Sequence, residues 1–319
     1  MTRCRNGVTT LTLAIGLLMG CAGQVAAVPQ PQVEAINSLW NRSDLPVAAH
    51  DVNRAWVWGN EFPVSYSWMY EPYEGASTAD IGRHIELTGQ RLIVYADKGR
   101  METSDQTITN AVPWNVTSGL LVEELMTGKL QLGDTTFQQR QPAAIPVAGD
   151  PDSTVTPTYA TLATLRSQAP LLNGASITQT LAPDGSVAEN AGGMHDAVTT
   201  IDVGAPTQHT IASVFWAYLN SSGPVMVGGE CVGVNGTDCH PVYQNEKLFL
   251  NPFYITGYPL TEAYWTKAKV AGTVKDVLLQ CFERRCLTYT PDNPAGWQVE
   301  FGNVGQHYYA WRYGTRPWE

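Results

Sequence analysis

The alternation of apolar and polar positions predicts a β-hairpin in residues 278–291, which read LLQCFERRCLTYTP. Residues that favour strands lie on both sides of the charged residues 283–285. If Glu283 and Arg284 form a two-residue turn, Cys281 faces Cys286 at a separation that suits a disulfide. A four-residue loop is the alternative, because Glu-Arg lacks the chemistry of the favoured two-residue turns.

A weaker copy of this pattern lies upstream, in residues 90–102, which read QRLIVYADKGRME. Asp97-Lys98 then corresponds to Glu283-Arg284. The helix-like segments that follow end at Gly128 and Gly314, and each glycine lies 31 positions after the first turn residue (128 − 97 and 314 − 283). The equal offsets indicate a duplicated unit.

The remaining periodicity predicts short helices and strands around these two hairpins. Apolar residues at helical spacing predict helices at 33–40, 117–126 (with Thr117 as its cap), 158–166 and 210–219. Alternation predicts a strand at 52–58, and Pro183-Asp184-Gly185 predicts a hairpin turn. We therefore predict an α+β protein with two related small units, 30–134 and 206–319. Each is built of short β-hairpins flanked by short helices, and the middle segment 135–205 joins them as a linker that carries a hairpin.

The second hairpin carries a family resemblance. The run FERRCLTYTP at 282–291, preceded by TGYPLTE at 256–262 and followed by Gly-Asn-Val-Gly at 302–305, is similar to the LGFP repeat of actinobacterial cell-envelope proteins. Arg284 and Arg285 stand where that repeat has two glycines. The longer run 251–313 resembles a group of uncharacterised secreted proteins of Chloroflexota, whose upstream half also resembles residues 56–150. The resemblance implies an address at the cell envelope and an association with cell-wall or other envelope polysaccharide.

The N-terminus predicts export. Arg3 and Arg5 precede an apolar run at 11–19 and then small residues, the layout of a bacterial export signal in residues 1–27. In an alternative reading the signal ends before Cys21, which a lipid would then modify and hold at a membrane. Either reading places the protein outside the cell or on its outer surface.

The charge balance bears on the partners. Of 319 residues 44% are hydrophobic and only 15% are charged, with a formal net charge of -10. This leaves no basic stripe for a phosphate backbone, so nucleic acid is excluded as a predicted partner, and a membrane is expected only through a lipid on Cys21.

Four cysteines remain after the signal, and an even number in an exported chain predicts two disulfides with three connectivities. We favour Cys281 with Cys286 and Cys231 with Cys239. The second pair flanks an Asn-Gly reversal, although a strict two-residue turn would place Val232 opposite Cys239. Four thiolates on zinc are disfavoured because the spacings depart from the usual knuckles. No metal and no cofactor are predicted.

No catalytic residue is assigned, because the chain lacks the common hydrolase and phosphate-loop motifs and its six histidines are scattered. The aromatic content is the stronger signal, with 10 Trp and 14 Tyr, since flat rings stack on sugar faces. The candidate ligand-binding residues are Trp265, Trp297, Tyr308, Trp311, Arg284 and Arg285.

The sequence thus favours a non-catalytic exported protein that associates with envelope polysaccharide. An envelope hydrolase with its site between the two units is the competing hypothesis, and a structural or protein-binding module is the third. A binder needs exposed rings, whereas an enzyme needs titratable groups that converge in a cleft.

Overall fold

The computed structural model describes residues 30–60, 68–74, 89–103, 116–189, 198–232 and 238–314. The predicted signal and Cys21 lie outside these residues. The described chain is an α+β protein of short helices and small sheets, as predicted. Its helices are α1 (Gln30–Ser43), α2 (Leu45–Ala48), α3 (Leu121–Thr127), α4 (Tyr159–Ala163), α5 (Ser213–Leu219), α6 (Pro252–Thr256) and α7 (Val304–Tyr313). No helix among the described residues has both the length and the apolar character that a bilayer crossing requires.

The strands form one larger sheet and several small ones. The first half contributes β1 (Trp68–Pro72), β2 (Gln90–Ala96), β3 (Gly99–Thr103), β4 (Lys129–Gln131), β5 (Phe137–Gln139), β6 (Thr180–Leu181) and β7 (Val187–Ala188). The second half contributes β8 (Thr200–Ile201), β9 (Ile211–Ala212), β10 (Ser222–Val232), β11 (Asp238–Lys247), β12 (Tyr264–Val270), β13 (Thr273–Cys281), β14 (Cys286–Tyr289) and β15 (Val299–Phe301). The sheet orders are β1-β2-β3 and β15-β14-β13-β12-β6-β7, beside the pairs β4-β5, β8-β9 and β10-β11.

The predicted hairpin at 278–291 is confirmed as β13 and β14. Cys281 and Cys286 face each other with their Cα atoms 4.0 Å apart and form a disulfide. The Phe282 amide donates to the Arg285 carbonyl at 2.7 Å, so Glu283 and Arg284 are the two turn residues.

The first hairpin, β2 with β3, has the same register. Leu92 pairs with Thr103 and Leu278 pairs with Tyr289, so both strands are offset by 186 positions (278 − 92 and 289 − 103). In the first copy Tyr95 and Arg100 occupy the positions of the disulfide. The upstream copy therefore matches the downstream one residue for residue along the hairpin.

Each hairpin tip contacts the helix that follows the other hairpin. The amides of Val122 and Glu123, in α3, donate to the Glu283 carbonyl at 3.1 and 3.2 Å. Reciprocally, the amide of Gln306, in α7, donates to the Asp97 carbonyl at 3.2 Å. First-turn amides of a helix lack intrahelical acceptors, so each tip supplies acceptors that its partner helix needs.

Two hydrophobic cores hold the chain together, and both contain residues from both predicted units. One packs α1 and α5 against one face of the six-stranded sheet, with Ile36, Phe215 and Leu287 fully buried. The other packs α3, α4 and α7 against the opposite face, with Leu125 and Tyr308 fully buried.

The middle segment, predicted as a linker that carries a hairpin, contributes to the second core. Val147, Tyr159, Leu162 and Leu165 are buried in the second core. The hairpin of β6 and β7 is confirmed, and β6 joins the larger sheet beside β12. Apolar residues spaced among the prolines thus anchor this segment to the sheet.

The helix predictions hold in outline, with shifted starts. Helix α1 covers the segment 33–40, and α4 begins after Thr158, whose hydroxyl accepts from the Thr161 amide at 3.1 Å. Thr117 does not cap α3, because it pairs with Glu102 in an isolated β-bridge and the helix begins at Leu121. Likewise residues 211–212 form β9, so α5 starts later than predicted.

The strand predicted at 52–58 is absent. The amides of Val57, Trp58 and Gly59, which a neighbouring strand would otherwise pair, donate instead to the Asp44 carboxylate at 2.6–3.0 Å. Burial raises the pKa of Asp44, although these three amides oppose the effect. The segment therefore satisfies its backbone without a neighbouring strand.

The long hairpin of β10 and β11 places Cys231 directly opposite Cys239. The last pair before the loop is Val232 with Asp238, so the connection is wider than a two-residue turn, and this wider loop brings the two cysteines into register. A separate register shift lies farther along the hairpin, between Met226 and Gly228. Their side chains lie outside the described part of the chain, so the second disulfide stays a prediction.

Candidate functional site

The aromatic residues predicted to bind a ligand do not form an exposed surface. Trp265 is 4% exposed and Tyr308 is fully buried. The Trp265 indole donates to the Ile177 carbonyl at 3.0 Å, and the Tyr308 hydroxyl donates to Glu124 at 2.6 Å. The prediction of exposure is wrong for both, because each ring fills a core and its polar atom is bonded inside.

The other two tryptophans are half-buried, and their indole N–H groups are engaged. Trp297 donates to Asn53 Oδ1 at 2.7 Å, and Trp311 donates to the Gln141 carbonyl at 2.9 Å. The Arg140 guanidinium lies 5.7 Å from the Trp311 ring centre. These contacts join distant parts of the chain, so the two rings act first as packing residues.

The charged tip of the second hairpin is inserted between the two units. Arg285 is fully buried, with its guanidinium 4.5 Å from the Trp58 ring centre and 5.6 Å from that of Phe301. Burial lowers the pKa of Arg285 to about 9. Arg284 is half-buried and donates to the Tyr254 carbonyl at 2.9 Å. Arg285 is therefore not available at the surface for an acidic polymer, and Arg284 is partly engaged within the fold.

A buried charge cluster, which the sequence did not reveal, lies beneath the first hairpin. It comprises Glu71, Arg91, Arg100, Glu102, Glu124 and Arg312. Arg100 Nη2 lies 2.7 Å from Glu102 Oε2, and Arg312 Nε lies 3.2 Å from Glu71 Oε1. Three guanidinium groups balance three carboxylates, so the cluster is electrically compensated and links β1, β2, β3, α3 and α7.

The pKa values of the cluster carboxyls are set by opposing effects. Burial raises the pKa of Glu102, but the charges of Arg100 and Arg91 outweigh it and hold the pKa below its ordinary value. The pKa of Glu71 is likewise lowered, because Arg100, Arg312 and Arg91 outweigh its burial. For Glu124 burial dominates and raises the pKa.

We expect acid to destabilise the protein through Glu71 and Glu102. Their folded pKa values lie below the ordinary 4.5, so their contribution is complete above that pH and is lost as the pH falls through the folded values. The raised pKa of Glu124 has the opposite effect on stability, because the folded protein favours the protonated form of this carboxyl. Urea unfolding at neutral pH and in steps below pH 4.5 measures this effect. The free energy of unfolding should decline steeply with falling pH for the native chain and less steeply for Glu102→Gln. Equal slopes for the two proteins would contradict this assignment.

A polar pocket of about 250 Å³ is lined by residues of both predicted units and of the middle segment between them. This junction pocket lies on the face of the larger sheet that carries the second core, and Ala268 and Val277 belong to both. Its polar lining residues are Lys98, Asp150, Lys275, Thr288, Thr290, Asn293, Glu300, Asn303 and His307. Lys98 comes from the tip of the first hairpin, whereas Asn303 and His307 come from the start of α7, so both units build the pocket.

The polar groups of the junction pocket form short chains of hydrogen bonds. Lys275 Nζ donates to Asn293 Oδ1 at 3.2 Å, and Asn293 Nδ2 donates to Glu300 Oε2 at 3.4 Å. Lys98 Nζ donates to the Phe301 carbonyl at 2.7 Å and to Asn303 Oδ1 at 3.2 Å. The pocket thus presents donors and acceptors, with both signs of charge.

Two further groups at the wall are held by the protein itself. Asp150 accepts from the amides of Ala271 and Gly272 at 2.9 and 2.8 Å. His307 Nδ1 is hydrogen-bonded to the Tyr159 hydroxyl at 2.9 Å. They shape the pocket, and its other polar groups come from the sheet, from the two asparagines and from Lys98.

A larger groove of about 400 Å³ lies at the β6 and β7 edge of the same sheet. Its polar groups, which include the pair Lys267 and Asp276 at 2.9 Å and Thr266 donating to the Leu181 carbonyl at 2.8 Å, come from the middle segment and the second predicted unit alone. We take the junction pocket as the candidate site because its polar groups come from both units and converge on one space. No cluster of three His, Cys, Asp or Glu suited to a metal occurs in the parts of the chain that the structure describes.

Comparison with protein-family models, with curated proteins and with solved structures finds no match for this chain. The resemblance to the LGFP repeat therefore stays a prediction. The sequence carried one signal for the junction pocket: Thr288 and Thr290 alternate with the apolar Leu287 and Tyr289 along β14 and just past its end, so the two hydroxyls lie on one side of the chain.

Proposed function

We propose that this exported protein binds a sugar unit of a cell-wall or envelope polysaccharide in the junction pocket, without catalysis. The volume of about 250 Å³ lies just below the roughly 300–1,000 Å³ of pockets for drug-sized ligands. It suits one small polar unit of a polymer better than a long stretch of chain.

The convergence of Lys275, Asn293 and Glu300 with the threonine hydroxyls carries this proposal. A sugar presents hydroxyl groups that both donate and accept. This pocket offers an ammonium, an amide and a carboxylate in one hydrogen-bonded row, with threonine hydroxyls in the same lining. The predicted export signal and the predicted family resemblance support this proposal, because both point to the compartment in which such polymers occur. Exposed aromatic rings are not part of the proposal, because the rings considered first lie in the cores or are bonded within the fold.

The test is retention on insoluble peptidoglycan and on a panel of polysaccharides, with the mature chain beginning at residue 30. Lys275→Met should weaken retention about 10- to 100-fold, since a hydrogen bond to a charged group contributes about 1.5–3 kcal/mol. Lys129→Met is the matched control, because Lys129 is exposed on β4 outside the pocket. If Lys275→Met and Lys129→Met were retained equally, the assignment of the junction pocket as the binding site would be wrong.

An envelope hydrolase is the second candidate, favoured by one observation. Burial lowers the pKa of Lys98, and the charge of Glu300 is the strongest influence that opposes this shift. Titratable groups perturbed in this way gather in catalytic pockets. The same incubations therefore include an assay of released sugars and peptides: release that Glu300→Gln abolishes would establish catalysis. If neither retention nor release is observed, the structural or protein-binding role becomes the remaining hypothesis.

A further inference from the structure

We propose that Lys98 and Asn303 become joined by an isopeptide bond between the Lys98 Nζ and the Asn303 side-chain carbonyl carbon. Lys98 lies at the tip of the first hairpin, and Asn303 immediately precedes α7 in the second unit. The bond would join the two units covalently at the wall of the junction pocket. This inference goes beyond the proposed function and does not depend on it.

The reacting groups are already in contact. Lys98 Nζ lies 3.2 Å from Asn303 Oδ1. Because a carbonyl bond is about 1.2 Å long, the Asn303 Cγ lies at most about 4.4 Å from the amine. A small rotation of the amide would bring the amine onto its carbon.

The Asn303 side chain is not engaged in the role that its position predicts. An asparagine at a helix N-cap ordinarily accepts a hydrogen bond from an amide of the first turn. Asn303 occupies the N-cap of α7 but makes no such bond, and its oxygen faces Lys98 instead. The first turn of α7 is directed at the first hairpin, where the Gln306 amide donates to the Asp97 carbonyl.

The surroundings favour a nucleophilic amine. Burial lowers the pKa of Lys98, against the opposing charges of Glu300, Asp97 and Asp44, and the positive charge of Arg285 lowers it further. Loss of the proton would leave a neutral amine beside the amide. Glu300, on β15, lines the same pocket and provides a carboxylate that can take up the proton.

The chemistry balances without an oxidant or a cofactor. A proton passes from the Lys98 ammonium, by way of water in the open pocket, to the Glu300 carboxylate, and the Nζ lone pair then attacks the Asn303 Cγ. In the collapse of the tetrahedral adduct the bond from Cγ to Nδ2 breaks, and protons from Nζ and from Glu300 go to the departing nitrogen. One ammonium ion leaves, Glu300 is again a carboxylate, and an amide links the two side chains.

A second lysine and asparagine pair in the pocket serves as an internal comparison. Lys275 Nζ lies 3.2 Å from Asn293 Oδ1, the same separation as in the proposed pair. Both residues belong to the second unit, so a bond between them would not join the units. Peptide mapping separates the two pairs.

The test is mass spectrometry of the full chain after reduction and trypsin digestion. Acylation of Lys98 blocks cleavage there, so we expect peptides 92–100 and 286–312 as one branched species, lighter than their sum by one ammonia. Recovery of free peptide 92–98 in full, or a link that maps to Lys275 and Asn293, would overturn the proposal.

Two variants test the chemistry. Lys98→Met, which retains an unbranched apolar side chain, should show neither the branched species nor the loss of ammonia. Glu300→Gln should preserve the folded circular-dichroism spectrum while the branched fraction falls at least tenfold. An unchanged branched fraction in Glu300→Gln would overturn the role of Glu300. Polysaccharide retention is a separate readout, so failure of binding and failure of the bond are distinguishable.

Discussion

Replacing Arg100 with methionine is expected to lower the free energy of unfolding by about 3–5 kcal/mol, the usual effect of breaking a buried ion pair. Arg100 is fully buried, and its guanidinium lies 2.7 Å from Glu102 and 3.6 Å from Glu71. Methionine fills most of the space of the aliphatic stem but leaves the carboxylates with less compensation inside the protein. The loss would appear as a lower midpoint in urea unfolding.

Arg166→Met is the matched control for this effect. Arg166 also pairs with a glutamate, Glu123, at 2.6 Å, but the two side chains are 32% and 30% exposed. An ion pair that water can reach contributes about 0–1 kcal/mol. If the two substitutions lowered stability equally, burial of the charge cluster would not be the cause.

Gly305→Ala is expected to destabilise the protein by about 3 kcal/mol, at the upper end of what overpacking causes. A β-carbon at Gly305 would overlap the Ala96 carbonyl oxygen and lie 2.5 and 2.7 Å from the backbone oxygen and nitrogen of Gly99. These are backbone atoms of the first hairpin, which cannot move aside as a flexible side chain can. The first turn of α7 would have to withdraw from the tip.

The control is Gly223→Ala in β10, where no atom lies within 4 Å of the added carbon. Its effect should stay within about 0.5 kcal/mol. Thermal unfolding of the two variants and the native chain measures the difference. An equal and small effect in both would show that α7 does not dock on the first hairpin as described.

The hairpins were predictable because their information is local. Strand-forming residues flank Glu283 and Arg284, and the same alternation surrounds Asp97 and Lys98, so the register follows from neighbours in the chain. What covers the tip is not local. Charged residues at a reversal are typical of a solvated loop, and only the tertiary structure places Arg285 between Trp58 and Phe301.

The candidate site was missed for a related reason. Hydrophobic periodicity assigns arginine and glutamate to the surface, so it could not identify the buried charge cluster, whose members are compensated by residues up to 241 positions away in sequence (312 − 71). The aromatic content favoured Trp265 and Tyr308 as ligand-binding residues, because composition does not distinguish a core ring from a surface ring. The junction pocket needs Lys98 and His307 together, and no spacing in the sequence predicts that meeting.

Each hairpin tip contacts the helix that follows the other hairpin, and this arrangement has a consequence for the order of folding. The contact of Gln306 with Asp97 spans 209 residues, and both cores need residues from the two halves of the chain. The first half cannot complete its core while the ribosome is still making the second, so folding waits for nearly the whole chain. Closing such long loops is entropically unfavourable and slows folding. Truncation before α7 would therefore leave an incompletely folded chain, not a stable N-terminal domain.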